Sequence, residues 1–213
     1  TTAGTCPVMG TASTMACLAE TLGFTIPGTA AIPAVHADRL RASEATGELA
    51  VELANKGLTP DQLLTNESIE NAMMVLLAIG GSTNAVIHLT AIAGRLGLDV
   101  SLQTLNRLSD STPLLVNLKP SGSHYMEDFF NAGGVGAVLR ELKPLLHLDC
   151  LDITGQTLRE RLEGEDSYVD HEVIRPLNEP VEPYGGLVSL FGSLAPQGAI
   201  LKRSAADSSL FER

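Results

Sequence analysis

The sequence predicts a helix-rich α/β fold organised around two central buried helices, and three observations carry that reading. Segment 67–79 places Ile69, Ala72, Met73, Leu76 and Leu77 at helical spacing, while Met74, Val75, Ala78 and Ile79 fill the opposite side. Such a helix is expected to be buried nearly all round. A second apolar helical run covers 85–96, directly after the turn Gly80-Gly81-Ser82-Thr83-Asn84, and short apolar runs at 114–118, 150–153, 186–192 and 198–202 read as strands.

Each remaining element follows from local signals. A first helix runs through Met15, Leu18, Ala19 and Leu22 to a stop at Gly23, with Thr11 and Ser13 as acceptors for its free first-turn N–H groups. Residues 24–28 form a short strand or loop, and 30–35 is a short apolar run. The next helix, 36–56, has Leu40, Leu49, Val51 and Leu53 inward and ends at Gly57, with Gly47 a point where it can split. Thr59-Pro60-Asp61 is a turn, and Asn66 is the expected cap of the first central helix. Further helices are expected over 101–109, 135–142 and 157–162, a loop over 119–124 and an acidic loop over 164–170. Three prolines between 176 and 183 mark a linker or an extended crossing. Beyond it, two strands joined by 193–197 are marginal by themselves. Residues 184–213 are therefore expected to be poorly ordered, packed against the preceding domain, or paired with another copy.

Composition narrows the function. The chain has 213 residues, 44% of them hydrophobic, and a formal net charge of −11, which argues against nucleic acid or an anionic membrane surface as a partner. No apolar run is long enough to span a bilayer. Three cysteines, Cys6, Cys17 and Cys150, are an odd number without close pairing, which fits a reducing, cytoplasmic setting better than a disulfide framework.

Two places carry candidate chemistry. Cys6 stands in the run Gly4-Thr5-Cys6-Pro7-Val8-Met9-Gly10-Thr11-Ala12-Ser13-Thr14-Met15, on a loop that feeds a helix N-terminus, where free N–H groups favour negative charge. It is a candidate thiolate ligand or nucleophile; the alternative is a small buried residue in a turn. In the Gly80–Asn84 turn, Ser82 and Thr83 are candidate contacts to a polyhydroxy acid, and helix capping alone would call for the same residues. His88 reads as a hydrogen-bonded core histidine rather than a general base. Glu127 and Asp128 are adjacent carboxylates, but neighbours on a helix point about 100° apart, so one cation is not expected between them.

The cysteine run resembles the cluster-binding segment of the dihydroxy-acid dehydratase and phosphogluconate dehydratase family. The likeness continues, in the same order, through Gly80-Gly81-Ser82-Thr83-Asn84-Ala85, Leu118-Lys119-Pro120-Ser121-Gly122, Met126-Glu127-Asp128, Gly133-Gly134, Thr154-Gly155-Gln156-Thr157 and Ile174-Arg175-Pro176-Leu177. The resemblance implies that 1–175 is part of an N-terminal α/β/α domain, 176–183 a linker, and 184–213 the start of a swivelling β-barrel-like domain. It also implies an internal piece of a longer protein, inactive by itself.

The activity implied is iron–sulfur-dependent dehydration of a small 2,3-dihydroxy acid to a 2-keto acid. A 2Fe-2S or 4Fe-4S cluster would be held in part by Cys6, and Mg²⁺ by family segments outside this chain. A homodimer or homotetramer is implied as well. Pro7-Val8 and the runs 30–34, 114–118 and 145–149 are more similar to the sugar-acid branch (arabinonate, xylonate, galactonate), with the branched-chain amino-acid enzyme as the alternative. A third reading makes the chain a non-catalytic folding or oligomerisation module built on the two central helices.

Overall fold

The computed structural model describes residues 6–163 and 168–207. Gly4, Thr5, the acidic stretch 164–167 and the last six residues of the 184–213 segment, all parts of the expectations above, lie outside the described residues.

The first helix, α1 (Thr11–Thr21), buries Cys17, Leu18 and Glu20 and stops at Gly23, whose φ of 80° favours glycine. Its expected hydroxyl caps are absent. Gly10 sits at the cap position and no side chain bonds the first-turn N–H groups. The Thr11 hydroxyl bonds Ser82 instead, and Ser13 reaches only the Cys6 carbonyl, at 3.5 Å. Residues 24–35 form turns rather than a strand.

The second helix, α2 (Ala37–Lys56), runs unbroken through Gly47 and ends at left-handed Gly57, yet none of its residues is buried. Leu40 and Val51 are 77% and 64% exposed. The cause is angular. Leu40 and Val51 are eleven residues apart, three turns along one face, whereas Leu49 and Leu53 lie on the opposite face and are half-buried. One stripe cannot bury all four.

A single turn, α3 (Pro60–Leu63), replaces the expected turn, with Pro60 at the position where a missing N–H costs nothing. It leads to α4 (Asn66–Ala78), whose cap is Thr65, one residue earlier than expected: Ser68 N–H donates to the Thr65 hydroxyl at 3.2 Å, and Thr65 N–H to the Ser68 hydroxyl at 2.9 Å. From Ser68 to Ala78 every residue except Glu70 is buried, as the two-sided apolar pattern predicts. Its partner α5 (Asn84–Gly94) departs from expectation. Only Ala85, Val86, Leu89 and Ala93 are buried; Ile87 is 69% exposed and His88 is on the surface rather than in the core. Apolar composition made α5 look two-sided, but neighbouring elements cover only one face.

The chain then forms α6 (Leu102–Ser111), capped by Ser101, and α7 (Met126–Asn131), α8 (Gly134–Glu141) and α9 (Leu158–Glu163). Between them, the expected strands at 114–118 and 150–153 are extended segments that make isolated bridges, Leu114 to Glu182, Val116 to Ile174, Leu118 to His124 and Leu151 to Thr157. Segment 114–116 is pinned under α4 by Leu115 N–H donating to the Ala78 carbonyl at 2.8 Å.

The proline-rich stretch crosses this segment, with Val181 N–H donating to Leu114 O at 2.8 Å. It delivers an antiparallel hairpin, β1 (Val188–Gly192) and β2 (Ala195–Leu201), joined by two residues because β2 begins at Ala195. The hairpin takes the packed arrangement of the three expected. The Ser109 hydroxyl donates to Leu187 O at 2.6 Å, and the Asn106 side chain both donates to and accepts from the Ser189 backbone, at 2.9 and 2.6 Å.

One ion pair ties the first helix to the far side of the fold. Glu20, fully buried on α1, accepts from Arg161 Nη2 at 2.6 Å and from the N–H groups of Gly28 and Ala30 at 2.9 Å each. The buried carboxylate is tolerated because three donors are aimed at it, one of them a charged guanidinium N–H.

The close approach of α1 to the α4–α5 turn occurs at Gly81. A Cβ there would stand 2.6 Å from Leu76 Cδ1 and 2.8 Å from Thr14 Cγ2. We expect Gly81→Ala to destabilise the fold by about 1–3 kcal/mol through overpacking. Gly47→Ala, whose Cβ would meet nothing within 4 Å, should stabilise α2 by about 0.5–1 kcal/mol. Denaturant midpoints of the two variants test the contrast.

Candidate functional site

The Cys6 loop is clamped from two sides. Met9 N–H donates to the Lys119 carbonyl at 2.8 Å, and the Pro7 carbonyl accepts from Met126 N–H at 2.9 Å, so residues 6–10 lie between the 119–124 loop and the start of α7. The Lys119–Pro120 peptide is cis. Met9 is buried beneath the loop. The thiol folds back toward α1: a Cβ on Gly10 would come within 3.0 Å of Cys6 Sγ. Cys6 is half-buried and opens on a cavity of about 360 Å³ that is also lined by Ser13, Thr25, Arg39 and Glu127.

The second sequence-predicted place meets the first through α1. Ser82 N–H donates to Thr14 Oγ1 at 3.0 Å, Thr11 Oγ1 and Ser82 Oγ are 2.8 Å apart, and Asn84 Nδ2 donates to Thr11 Oγ1 at 3.1 Å. Ser82 Oγ also accepts from Asn84 N–H at 3.3 Å. The Ser82 hydroxyl is thus occupied in joining two helix starts, and Thr83 stands, half-buried, at the cap position of α5 without a capping side-chain bond.

Glu127 and Asp128 go separate ways, as adjacent helical positions must. Glu127 lines the Cys6 cavity, whereas Asp128 accepts from Tyr125 N–H at 2.8 Å at the start of α7. Sequence reasoning missed the Lys119–Tyr125 pair beside the clamp. Lys119 Nζ lies 2.6 Å from the Tyr125 hydroxyl and 4.0 Å from its ring centroid. A spacing of six residues carries no helical or strand signal for it; the pair meets because the 119–124 loop turns back on itself.

Cys6 fits a cluster ligand, being a half-buried thiol beside a cavity and the N–H-rich start of α1. Among the described residues, no group of three or more His, Cys, Asp or Glu converges, so the structure offers one thiol and, in the same cavity, one carboxylate. The other thiols are unsuited. Cys17 is fully buried and burial raises its pKa strongly, while burial pushes the half-buried Cys150 up to about 11, with the charge of Glu67 adding to the effect.

Fold and site together define a helix-rich domain with one half-buried thiol beside a cavity at a loop-to-helix junction, and no described helix is long and apolar enough to cross a membrane. Two family models cover nearly the whole chain: the dihydroxy-acid/6-phosphogluconate dehydratase N-terminal model matches residues 1–161 and the C-terminal model residues 172–213. The chain belongs to the dihydroxy-acid/6-phosphogluconate dehydratase family. It is 45% identical over 204 residues to a dihydroxy-acid dehydratase of Acetivibrio thermocellus, covering 95% of this chain and 37% of the relative. It is 45% identical to that of Caldicellulosiruptor bescii, covering 98% and 38%, and 44% identical to that of Ignicoccus hospitalis, with the same coverage. The chain therefore spans less than two-fifths of the length of these relatives.

Thiol modification separates the three cysteines. Without a bound cluster, an alkylating reagent near pH 8 should label half-buried Cys6 first, through its cavity, and Cys17 only on unfolding. Labelling of Cys150 should speed up about tenfold per pH unit until pH approaches 11, because the thiolate is the reactive form. Peptide mass mapping against time and pH reads this order.

Proposed function

We propose that the protein carrying this chain dehydrates a 2,3-dihydroxy carboxylic acid to a 2-keto acid, with Cys6 as one protein ligand of an iron–sulfur cluster. The observation that carries the reading is the clamped Cys6 loop. Its backbone is held by the Met9–Lys119 and Pro7–Met126 hydrogen bonds, and its thiol lies beside a cavity that also receives Glu127. When bound, the cluster supplies Lewis acidity toward a hydroxide leaving group, and Mg²⁺ helps to hold the acid. The part played by this chain is to fix one thiolate and to present the open start of α1 to negative charge.

The substrate assignment changes from that expected on sequence. The sugar-acid preference rested on short apolar runs and Pro7-Val8, and it finds no support among relatives that bear the name dihydroxy-acid dehydratase. The short branched dihydroxy acid of branched-chain amino-acid synthesis is the better reading. Assembly as a homodimer or homotetramer in the cytoplasm belongs to the same proposal. The oligomerisation-module reading is less favoured, because α4 is enclosed and α5 exposes a single bulky aliphatic side chain, Ile87.

The test is an assay of the protein that carries this chain, with 2,3-dihydroxy-3-methylbutanoate and arabinonate as parallel substrates and 2-keto acid as the readout. The branched acid should be turned over faster, and Cys6→Ser should reduce the rate to background. Preference for arabinonate would overturn the substrate assignment, and full activity of Cys6→Ser would overturn the role of Cys6.

A further inference from the structure

Two cavities each have an arginine in their lining, and the two arginines are placed differently. A cavity of about 430 Å³ lies where segment 114–122 faces residues 181–206; its Arg203 rests 5.4 Å from the centroid of the Tyr184 ring, with Nη1 buried. The other is the Cys6 cavity. Arg39, half-buried in the first turn of α2, borders it together with Cys6, Ser13, Thr25 and Glu127.

Arg39 has no carboxylate partner among the described residues. Asp38, its neighbour in sequence, pairs with Arg41 instead, and Glu127 borders the same cavity without an ion pair to Arg39. Arg39 Nη2 donates to the carbonyl of Ile32, which also lines the cavity, and makes no other side-chain hydrogen bond among the described residues. A guanidinium carries five N–H donors, so most of them remain. In a chain with 25 acidic and 14 basic residues, such an arginine is conspicuous. Two further groups at this cavity lack acceptors or donors of their own. Thr25 Oγ1 is buried with no hydrogen-bond partner among the described residues, and α1 starts at Gly10 without a side-chain acceptor for its first-turn N–H groups. A guanidinium, an orphaned hydroxyl and an uncapped helix start beside one thiol suit an anion that accepts hydrogen bonds.

We propose that Arg39 supplies the counter-charge for the iron–sulfur cluster ligated by Cys6 and thereby raises its reduction potential and helps to retain it. The proposal rests on the reading of Cys6 given above. A cluster held by thiolates is an anion whose potential follows net charge and hydrogen bonding around it. An added electron makes it more negative, so a fixed guanidinium stabilises the reduced form more than the oxidised one. Arginine suits the task because it is always charged and is more weakly hydrated than an ammonium. Its position is set by the start of α2, where His36 Nδ1 accepts from Asp38 N–H at 3.3 Å and the His36 ring meets Phe130 edge-on, with centroids 5.4 Å apart. A helix that buries none of its own residues thus delivers a charge to the cavity.

The experiment measures iron and acid-labile sulfide, and then the midpoint potential by a redox titration followed in the visible spectrum, in the protein that carries this chain and in Arg39→Gln, Arg39→Lys and Arg41→Gln. Arg39→Gln should shift the reduction equilibrium about tenfold toward the oxidised form, about 59 mV more negative for one electron. Arg39→Lys, which keeps the charge but not the planar fork, should recover most of that shift, whereas a purely structural role would leave both variants alike. Arg41→Gln, which removes an exposed cation already paired with Asp38, should leave the potential unchanged. Loss of iron in Arg39→Gln that Arg39→Lys restores supports the same role. If circular dichroism shows that Arg39→Gln disturbs the helices, Arg39→Met, which keeps the aliphatic stem, takes its place. An unchanged potential with full iron in the uncharged variant, or equal shifts in Arg39→Gln and Arg41→Gln, would overturn the proposal. So would a raised KM for the acid at unchanged potential, which would give Arg39 to the substrate. Cys6→Ser separates the two readings: full iron there defeats the cluster assignment itself, whereas loss of iron there with an indifferent Arg39→Gln defeats the role of Arg39 alone.

Discussion

The hydrogen bond from Ser82 N–H to Thr14 Oγ1 is the contact on which the candidate site depends. It brings the start of α1 against the turn between α4 and α5, and Gly81 makes the approach possible because no Cβ fits beside Thr14 and Leu76. The Thr11–Ser82–Asn84 hydroxyl and amide contacts extend the same junction outward. An unpaired N–H at this point would cost about 1–3 kcal/mol, a large share of the stability of an ordinary domain. The Cys6 loop immediately precedes the helix held in this way. Its position is therefore inherited from α4, the most deeply buried element of the chain.

The far end of α1 is fixed by different physics. Glu20 gathers Arg161 and two backbone N–H groups around a buried carboxylate, so α1 is held by neutral hydrogen bonds at its start and by charge near its end. A buried pair of this kind contributes little net stability, but removing either partner strands a charge. Rigid placement of α1, rather than extra stability, is what the arrangement supplies. The two cavities lie on either side of the 114–126 region. One contains the thiol and a carboxylate, the other the Arg203 side chain beside the Tyr184 ring, and both border a segment that runs from beneath α4 to the start of α7.

Local chemistry made much of this legible in the sequence. The extent of α4, the stop at Gly23 and the separation of Glu127 from Asp128 all follow from spacing and capping rules. The misreadings have a common cause. Leu40, Val51, Ile87 and His88 sit where only the presence or absence of a neighbouring element decides burial, and periodicity carries no such information. From the sequence Thr11 reads as a local cap and Ser82 as a substrate contact or a cap, although their hydroxyls are partners across 71 residues. No local signal marks Arg203 or Tyr184, and Ser121 enters only through the 118–122 run, because the cavity they line is formed by segments distant in sequence.

The measurement that bears most directly on this account is the iron and acid-labile sulfide content of the protein carrying this chain, compared with Cys6→Ser and Thr14→Val. If the α1 junction positions Cys6 as a cluster ligand, Cys6→Ser should lose bound iron and sulfide. Thr14→Val, far milder chemically and without change at any ligand, should lower both while secondary structure persists. Iron and sulfide at wild-type levels in Cys6→Ser would contradict the central claim.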